Sequence, residues 1–243
     1  MRKYTLVAVL LLLANGAHAS SYLDIFGAVI APIQYTPSAG VGNHPYSGAN
    51  LQSSATLTFS DLAGAELVNA DLFGANLSDS DLSSANLSNA NLHFARLNRS
   101  VLIDTDLTGA TLDSSILHSA NLWNANLSGG SLSFAILTAA DLSDTTLTNT
   151  NLVNSSFWLT NFSGAAVAGA DFSNANLENA TNLQLTTGFA RYNANTNFTN
   201  AWSGAVNSTL FNPVAAGWIL IPEPSTALLM GFGLAAIAGY RRP

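Results

Sequence analysis

Few side chains in this 243-residue chain could do chemistry. It has four histidines and 14 acidic residues but no cysteine, which excludes disulfides, thiolate catalysis and cysteine-based metal sites. The candidates for acid–base or metal chemistry are His93 and His118, and the carboxylates Asp61, Asp79 and Asp81. Catalysis would need a nucleophile, a base and an orienting acid held within reach of one another. Whether any of these groups meet depends on the elements that carry them.

The candidate histidines and carboxylates all lie within a five-residue repeat. Every fifth residue from Leu57 to Leu177 is Leu or, at four places, another large apolar residue, namely Phe157, Phe162, Val167 and Phe172. We call these the central residues. A small residue (Ala, Ser, Thr or Gly) stands two positions before each of them. A five-residue period fits neither an α-helix nor a straight strand, because both would scatter the central residues over different faces. It predicts a solenoid that turns a corner every five residues and points each central residue inward.

The individual units have a recognisable order. Ala70–Gly74, Ala85–Asn89 and Ala120–Asn124 each read small residue, Asp or Asn, Leu, then two variable residues. This order resembles the pentapeptide-repeat family, whose consensus is A-(D/N)-L-x-x. The resemblance implies an all-β fold, a right-handed quadrilateral β-helix with four pentapeptides per coil. The twenty-five units then make about six coils, and residues twenty apart stack in ladders such as Leu72, Leu92, Leu112, Leu132, Leu152 and Phe172.

Stacking at a step of twenty predicts the neighbours of the chemical groups. Asp79 should lie beneath Arg99 as an exposed ion pair. Asp61, Asp79 and Asp81 gather at one corner and could bind Ca²⁺ weakly, although a solvated acidic corner is the ordinary interpretation. Two outward columns contain histidine, one formed by Phe73, His93 and Asp113 and the other by His118, Thr138, Trp158 and Glu178. Neither column supplies a nucleophile, a base and an orienting acid together, within reach of one another. The two histidines lie on different faces, which disfavours paired metal ligation. We assign no catalytic residue, no cofactor and no metal site from the sequence.

Outward aromatic residues and charge bear on partners. Phe73, Trp123 and Trp158 could stack on sugar rings, although isolated surface aromatics are common.

With both chain ends removed, the protein keeps three arginines against thirteen acids, a net charge of about −10, and no lysine. A basic nucleic-acid footprint is therefore absent. Some pentapeptide-repeat proteins resemble duplex DNA and bind DNA gyrase, but that needs a continuous acidic row. Here one row is interrupted in its middle; it consists of Asp61, Asp81, Val101, Asn121 and Asp141. The other row is mostly neutral; it consists of Asp71, Asn91, Thr111, Ser131, Asn151 and Asp171.

The N-terminus predicts export. Arg2 and Lys3 precede an apolar stretch, and Ala17-His18-Ala19 has the A-x-A form of a signal-peptidase site. The mature chain should begin at Ser20. An uncleaved N-terminal membrane anchor is the alternative, which the short apolar stretch disfavours.

The C-terminus resembles the PEP-CTERM sorting signal. Pro222-Glu223-Pro224 leads into an apolar run at 227–238, followed by Arg241 and Arg242. The resemblance implies processing by exosortase, a membrane transpeptidase. Before processing, the tail would hold the protein in the inner membrane, with the arginines on the cytoplasmic side. A permanent anchor that is never processed is the alternative.

These patterns divide the chain into five parts. We expect a helical signal peptide at 1–19, an N-terminal cap or flexible segment at 20–54 and the solenoid at 55–182. A degenerate repeat that serves as cap and linker follows at 183–220, and the sorting and membrane helix at 221–243. The favoured function is a non-enzymatic scaffold, exported to the envelope and able to associate with extracellular polysaccharide. The alternatives are the DNA mimic and a polysaccharide-acting β-helix enzyme, whose cleft the unbroken repeat disfavours.

Overall fold

The structure is a computed structural model that describes residues 19–23, 29–34, 54, 56–183, 186–201 and 210–222, the first two ranges as backbone. Strands β1 (Ala19–Leu23) and β2 (Val29–Gln34) pair antiparallel. Strands β3 (Arg191–Tyr192) and β4 (Ile219–Leu220) pair in parallel. The expected signal and C-terminal helices lie almost wholly outside the described residues. Within the described ranges, no helix has the length and apolar character needed to cross a membrane.

Single parallel bridges between residues twenty apart build the solenoid. They run from Thr56–Asn76 to Asn161–Thr181, one for each pentapeptide. Each bridge residue directly precedes a central residue, and its carbonyl accepts a hydrogen bond from the central N–H of the coil below. Leu112 N–H, for example, donates to Ser131 O at 2.6 Å. Four pentapeptides therefore close one coil, and the predicted β-helix is confirmed.

Every pentapeptide ends in the same tight turn. The central carbonyl accepts a hydrogen bond from the N–H three residues later, as in Ala65 N to Leu62 O at 3.0 Å. The residue two places after the centre has a positive φ in every unit from Phe59 to Asn179. A turn with positive φ at its third residue favours Gly or Asn, because other side chains meet the backbone there. Seven Asn and six Gly occupy these twenty-five positions, which explains a preference that the five-residue period left unexplained.

Where Asp or Asn stands directly before a central residue, its side chain supports that turn. Its Oδ1 accepts a hydrogen bond from the N–H two residues later, at 2.9 Å from Ser83 N to Asp81 and 3.0 Å from Trp123 N to Asn121. This is the local bond by which Asp and Asn side chains favour turns. Asn side chains also bond along the rod, as Asn91 Nδ2 does to Asp71 Oδ1 at 3.0 Å. The consensus acid or amide is therefore structural.

The interior is filled by the central residues and by the small residues two places before them. All six members of the ladder from Leu72 to Phe172 are completely buried. Where the small residue is Ser or Thr, its buried hydroxyl donates to a backbone carbonyl, as Ser115 does to Leu112 O at 2.6 Å and Thr105 to Leu82 O at 2.9 Å. Buried hydroxyls thus keep the hydrogen bonds they would have made to water.

Beyond residue 183 the coil continues with insertions. The bridges Ala166–Thr187 and Asn176–Asn197 span twenty-one residues instead of twenty. Strand β4 then pairs with β3, so that Leu220 lies beside Tyr192. The buried Trp218 stacks on Phe172 with ring centroids 4.9 Å apart. Aromatic residues thus cover the core at this end.

Candidate functional site

The outward column predicted from Phe73, His93 and Asp113 forms as expected. The Phe73 and His93 rings stack with centroids 5.7 Å apart. Phe94 contacts both rings edge-on, at 5.6 Å from Phe73 and 4.2 Å from His93. We call Phe73, His93 and Phe94 the aromatic corner. It presents three contacting rings at the turns of two successive coils, and the Phe73 and Phe94 rings are exposed.

Asp113 does not convert this corner into an acid–base site. Its Oδ2 lies 4.0 Å from His93 Nδ1, beyond hydrogen-bond range. Its Oδ1 instead accepts hydrogen bonds from Ser131 Oγ at 2.5 Å and Ser133 N at 2.8 Å. The carboxylate therefore braces the next coil through these two hydrogen bonds.

The predicted ion pair between Asp79 and Arg99 is present. Arg99 Nε and Nη2 donate to the two carboxylate oxygens of Asp79, both at 2.7 Å. The hydrogen bond to Asp79, followed by its negative charge, raises the pKa of Arg99 above its ordinary value. Asp79, one of the three carboxylates considered for Ca²⁺, is therefore already paired with Arg99. Among the described residues, no group of three acidic or histidine side chains could hold a metal ion.

Trp123 and Trp158 are both exposed, but they do not form one platform. Trp123 follows Leu122 and Trp158 follows Phe157, which belong to different inward ladders. The Trp123 indole N–H donates to Asp144 Oδ2 at 3.0 Å, which fixes its ring against the next coil. The aromatic corner is thus the more extended ring surface. The sequence ladder identified two of its members and missed Phe94.

The acidic rows stack as predicted and are interrupted as predicted. Asp61 bridges to Asp81, and Asp81 to Val101. Val101 then bridges to Asn121, and Asn121 to Asp141. Two neutral rungs therefore separate the carboxylates at the two ends of this row.

The processing residues lie at the borders of the described chain. Ala19 and Ser20, which flank the predicted signal cleavage, lie in β1 opposite Gln34 and Ile33. Ile221 N–H donates to Tyr192 O at 2.6 Å, and the exposed Pro222 follows directly. The predicted residues Ala17, Glu223, Pro224, Arg241 and Arg242 lie outside the described residues.

Comparison with known families decides the identity of the repeat. The protein-family model described as pentapeptide repeats matches eight copies that together span residues 53–179, just over half of the chain. The chain belongs to the pentapeptide-repeat family. It therefore has the right-handed β-helix fold of that family, whose members are generally non-enzymatic scaffolds. The model of the PEP-CTERM protein-sorting motif matches residues 220–242. Both resemblances noted in the sequence are thus confirmed, while the signal peptide remains a prediction.

One solved structure agrees with this chain in fold, and two further pentapeptide-repeat proteins are similar in sequence. A trypsin-treated form of QnrB1, a plasmid-mediated fluoroquinolone resistance protein, is 16% identical, with a TM-score of 0.53 over 75% of this chain and 91% of that one. Rfr23 from the cyanobacterium Cyanothece 51142 is 29% identical, covering 53% of this chain and 63% of that one, with a TM-score of 0.26. The protein alr5209 from Nostoc Pcc 7120 is 30% identical, covering 52% and 84%, with a TM-score of 0.26. No curated protein sequence matches the chain.

Proposed function

We propose that this pentapeptide-repeat protein is a non-enzymatic scaffold that is exported and sorted to the cell envelope through its C-terminal signal. The observation that carries the proposal is the match of residues 220–242 to the PEP-CTERM motif, which begins at the last hydrogen-bonded rung. The folded rod and its sorting signal are therefore contiguous in the chain. A sorting enzyme would meet the signal at the very end of the folded body.

The proposed route has two processing steps. Signal peptidase cleaves after Ala19, and the chain crosses the inner membrane. The apolar run at 227–238 then holds the protein there as a helix, with Arg241 and Arg242 on the cytoplasmic side. Exosortase next removes the tail near Pro222 and delivers the rod, with its predicted six or so coils, to the envelope or cell surface.

Mass spectrometry of the protein from its native envelope tests this route. We expect a mature chain that begins at Ser20 and ends near Pro222. Glu223→Ala should accumulate as a longer form that keeps its C-terminal arginines, because the sorting motif is lost. Glu178→Ala removes an acid from the rod and serves as the matched control, which should be processed normally. Wild-type protein with an intact Arg241–Arg242 terminus would contradict sorting and favour a permanent anchor. A protein confined to the cytosol would overturn export.

The repeat itself disfavours both alternative functions. No insertion interrupts the units between Leu57 and Leu177, so no long loop overhangs the rod to form a catalytic cleft. The chain is similar to QnrB1 in fold, but the two sequences are only 16% identical. A mimic of duplex DNA would need continuous negative charge, whereas Val101 and Asn121 interrupt the acidic row described above. We therefore favour the scaffold over a β-helix enzyme or a gyrase-binding protein.

Extracellular polysaccharide is the partner we propose for the scaffold, and the aromatic corner is the surface that supports it. Aromatic rings pack against the apolar faces of sugar rings, and exposed apolar patches mark interaction sites. Phe94 is also held at a positive φ of 58°. A bulky side chain is unfavourable in that conformation, and an exposed aromatic ring adds a second cost. A ligand that covers the ring would offset part of that cost.

Binding to the isolated exopolysaccharide of the source cells tests this partner. Phe94→Asn should weaken binding about tenfold, a loss of about 1.4 kcal/mol, because it removes the central ring of the aromatic corner. Asn suits a positive φ, so the fold is kept. Phe134→Asn is the matched control, because Phe134 is exposed and occupies the same repeat position two coils further along. Trp123→Ala and Trp158→Ala test the isolated rings. Equal binding by wild type and all variants would exclude these aromatic surfaces.

A further inference from the structure

The C-terminal end of the rod leaves apolar side chains uncovered. Phe189, Val214, Ile219 and Leu220 are each 54–71% exposed; together they are called the apolar end face. The Phe189 ring lies against Gly217, where an added Cβ would stand 2.7 Å from a ring carbon. Val214 belongs to the same turn, since its carbonyl accepts a hydrogen bond from Gly217 N–H at 3.0 Å. These side chains therefore cluster around the last turn and the last rung.

Leu220 shows that this end is incompletely covered. Its register with Tyr192 places it above the inward ladder that runs from Leu72 to Phe172. Every member of that ladder from Leu72 to Phe172 is fully buried, whereas Leu220 is 54% exposed. A residue at a core position that stays half exposed indicates a surface that another apolar phase can cover.

Charge distinguishes this end from the rest of the rod. The chain carries no Asp or Glu between Glu178 and Glu223, although acids recur throughout the coils before it. Its single charged residue there is Arg191, which pairs in register with Ile219 of the end face. In a strongly acidic protein, this is the stretch least repelled by an anionic surface.

The chain length after the last rung sets how far this end can move from the membrane segment. The last rung hydrogen bond is made by Ile221, and the apolar run begins at residue 227. Five residue steps from Pro222 to that run span at most about 18 Å when fully extended. The headgroup layer on one side of a bilayer is itself roughly 5–8 Å thick. With the run embedded, the end face stays close to the lipid headgroups.

We propose that the apolar end face lies on the lipid headgroup layer of the inner membrane while the sorting tail is attached. The partner is an anionic phospholipid surface: Phe189, Val214, Ile219 and Leu220 enter the interface, and Arg191 lies near the phosphates. This inference rests on the proposed function, because it requires the tail in the membrane. Once the tail is removed, the apolar contact alone holds the rod weakly, and the protein is released.

Site-specific labelling of the full chain tests the contact. Because the chain has no native cysteine, a label attaches only at the one cysteine that is introduced. Single variants Val214→Cys and Leu220→Cys carry an environment-sensitive fluorophore. Phe59→Cys is the control, since Phe59 is 79% exposed and belongs to the first described unit. The chain is placed one copy per nanodisc in phosphatidylethanolamine with a minor fraction of phosphatidylglycerol. Labels at 214 and 220 should be blue-shifted and quenched by iodide about threefold or more weakly than the label at 59. Circular dichroism confirms that each variant is folded.

The outcomes separate the contact from the tether. If the chain co-purifies with the discs and the labels at 214 and 220 are as accessible to iodide as the label at 59, the end-face contact is wrong. A chain that does not associate with the discs at all would instead contradict the proposed membrane tether. If the same labels become shielded in detergent as protein concentration rises, a second copy covers the end face, which would also overturn the lipid contact.

Discussion

Replacement of Trp218 by alanine should lower the free energy of unfolding by about 3–5 kcal/mol. The Trp218 side chain is buried and stacks on Phe172, the last residue of an inward ladder of the regular repeat. Its ring also contacts Phe198 and Phe211, with centroids 5.9 and 5.2 Å away. Alanine would leave a cavity where the core ends, and a solenoid unit left uncovered has no further neighbour to bury it. Denaturant unfolding followed by circular dichroism measures the change.

Val214→Ala is the matched control for this prediction. Val214 belongs to the same terminal segment, but its side chain is exposed. Its truncation should change stability by no more than about 0.5 kcal/mol. If Trp218→Ala unfolded at the same denaturant concentration as Val214→Ala, Trp218 would not be the residue that covers the core.

Leu112→Ala in the middle of the rod should cost about 2–5 kcal/mol. Leu112 is fully buried between Leu92 and Leu132 of the same ladder. Each coil contacts mainly its two neighbours, so the damage should be concentrated in the adjacent coils. Denaturant unfolding gives the size of the effect. Hydrogen exchange should speed up, relative to wild type, more for the amides near Leu112 than for those at either end of the repeat.

Ile136→Ala provides the comparison, because it removes the same number of carbon atoms from an exposed bridge residue. We expect a loss below about 1 kcal/mol. Equal losses in the two variants would mean that burial in the ladder does not determine stability.

The part of the fold set by the repeat was predictable from the sequence. A large apolar residue at every fifth position fixes which side chains face inward, and the step of twenty fixes the neighbours of Asp79 and of Phe73. The turn itself was missed. Its signal was the frequent Asn and Gly two positions after each centre, together with the Asp or Asn before it. The period of the central residues alone says nothing about backbone dihedral angles.

The contacts that the sequence could not predict depend on insertions and on adjacent residues. After residue 183, one-residue offsets shift the register at Thr187 and at Asn197 but not at Arg191, so stacking at a step of twenty no longer identifies every neighbour. Trp218 reaches Phe172 from forty-six positions away, which no local pattern indicates. Phe94 joins the aromatic corner through contact with its immediate neighbour His93. That contact follows from the positive φ of the turn, which the ladder argument did not include.

The twenty-residue hydrogen-bond step makes the length of this protein adjustable in fixed increments. Inserting or deleting one full coil would change the distance between its two ends by about 4.8 Å, the spacing of neighbouring strands. Both ends would keep their rotational orientation about the rod axis. Inserting a single pentapeptide would instead rotate everything beyond it by about a quarter turn, given four pentapeptides per coil. Gains and losses of whole coils can therefore set how far the first coil stands from the C-terminal sorting motif without altering the surface next to that motif.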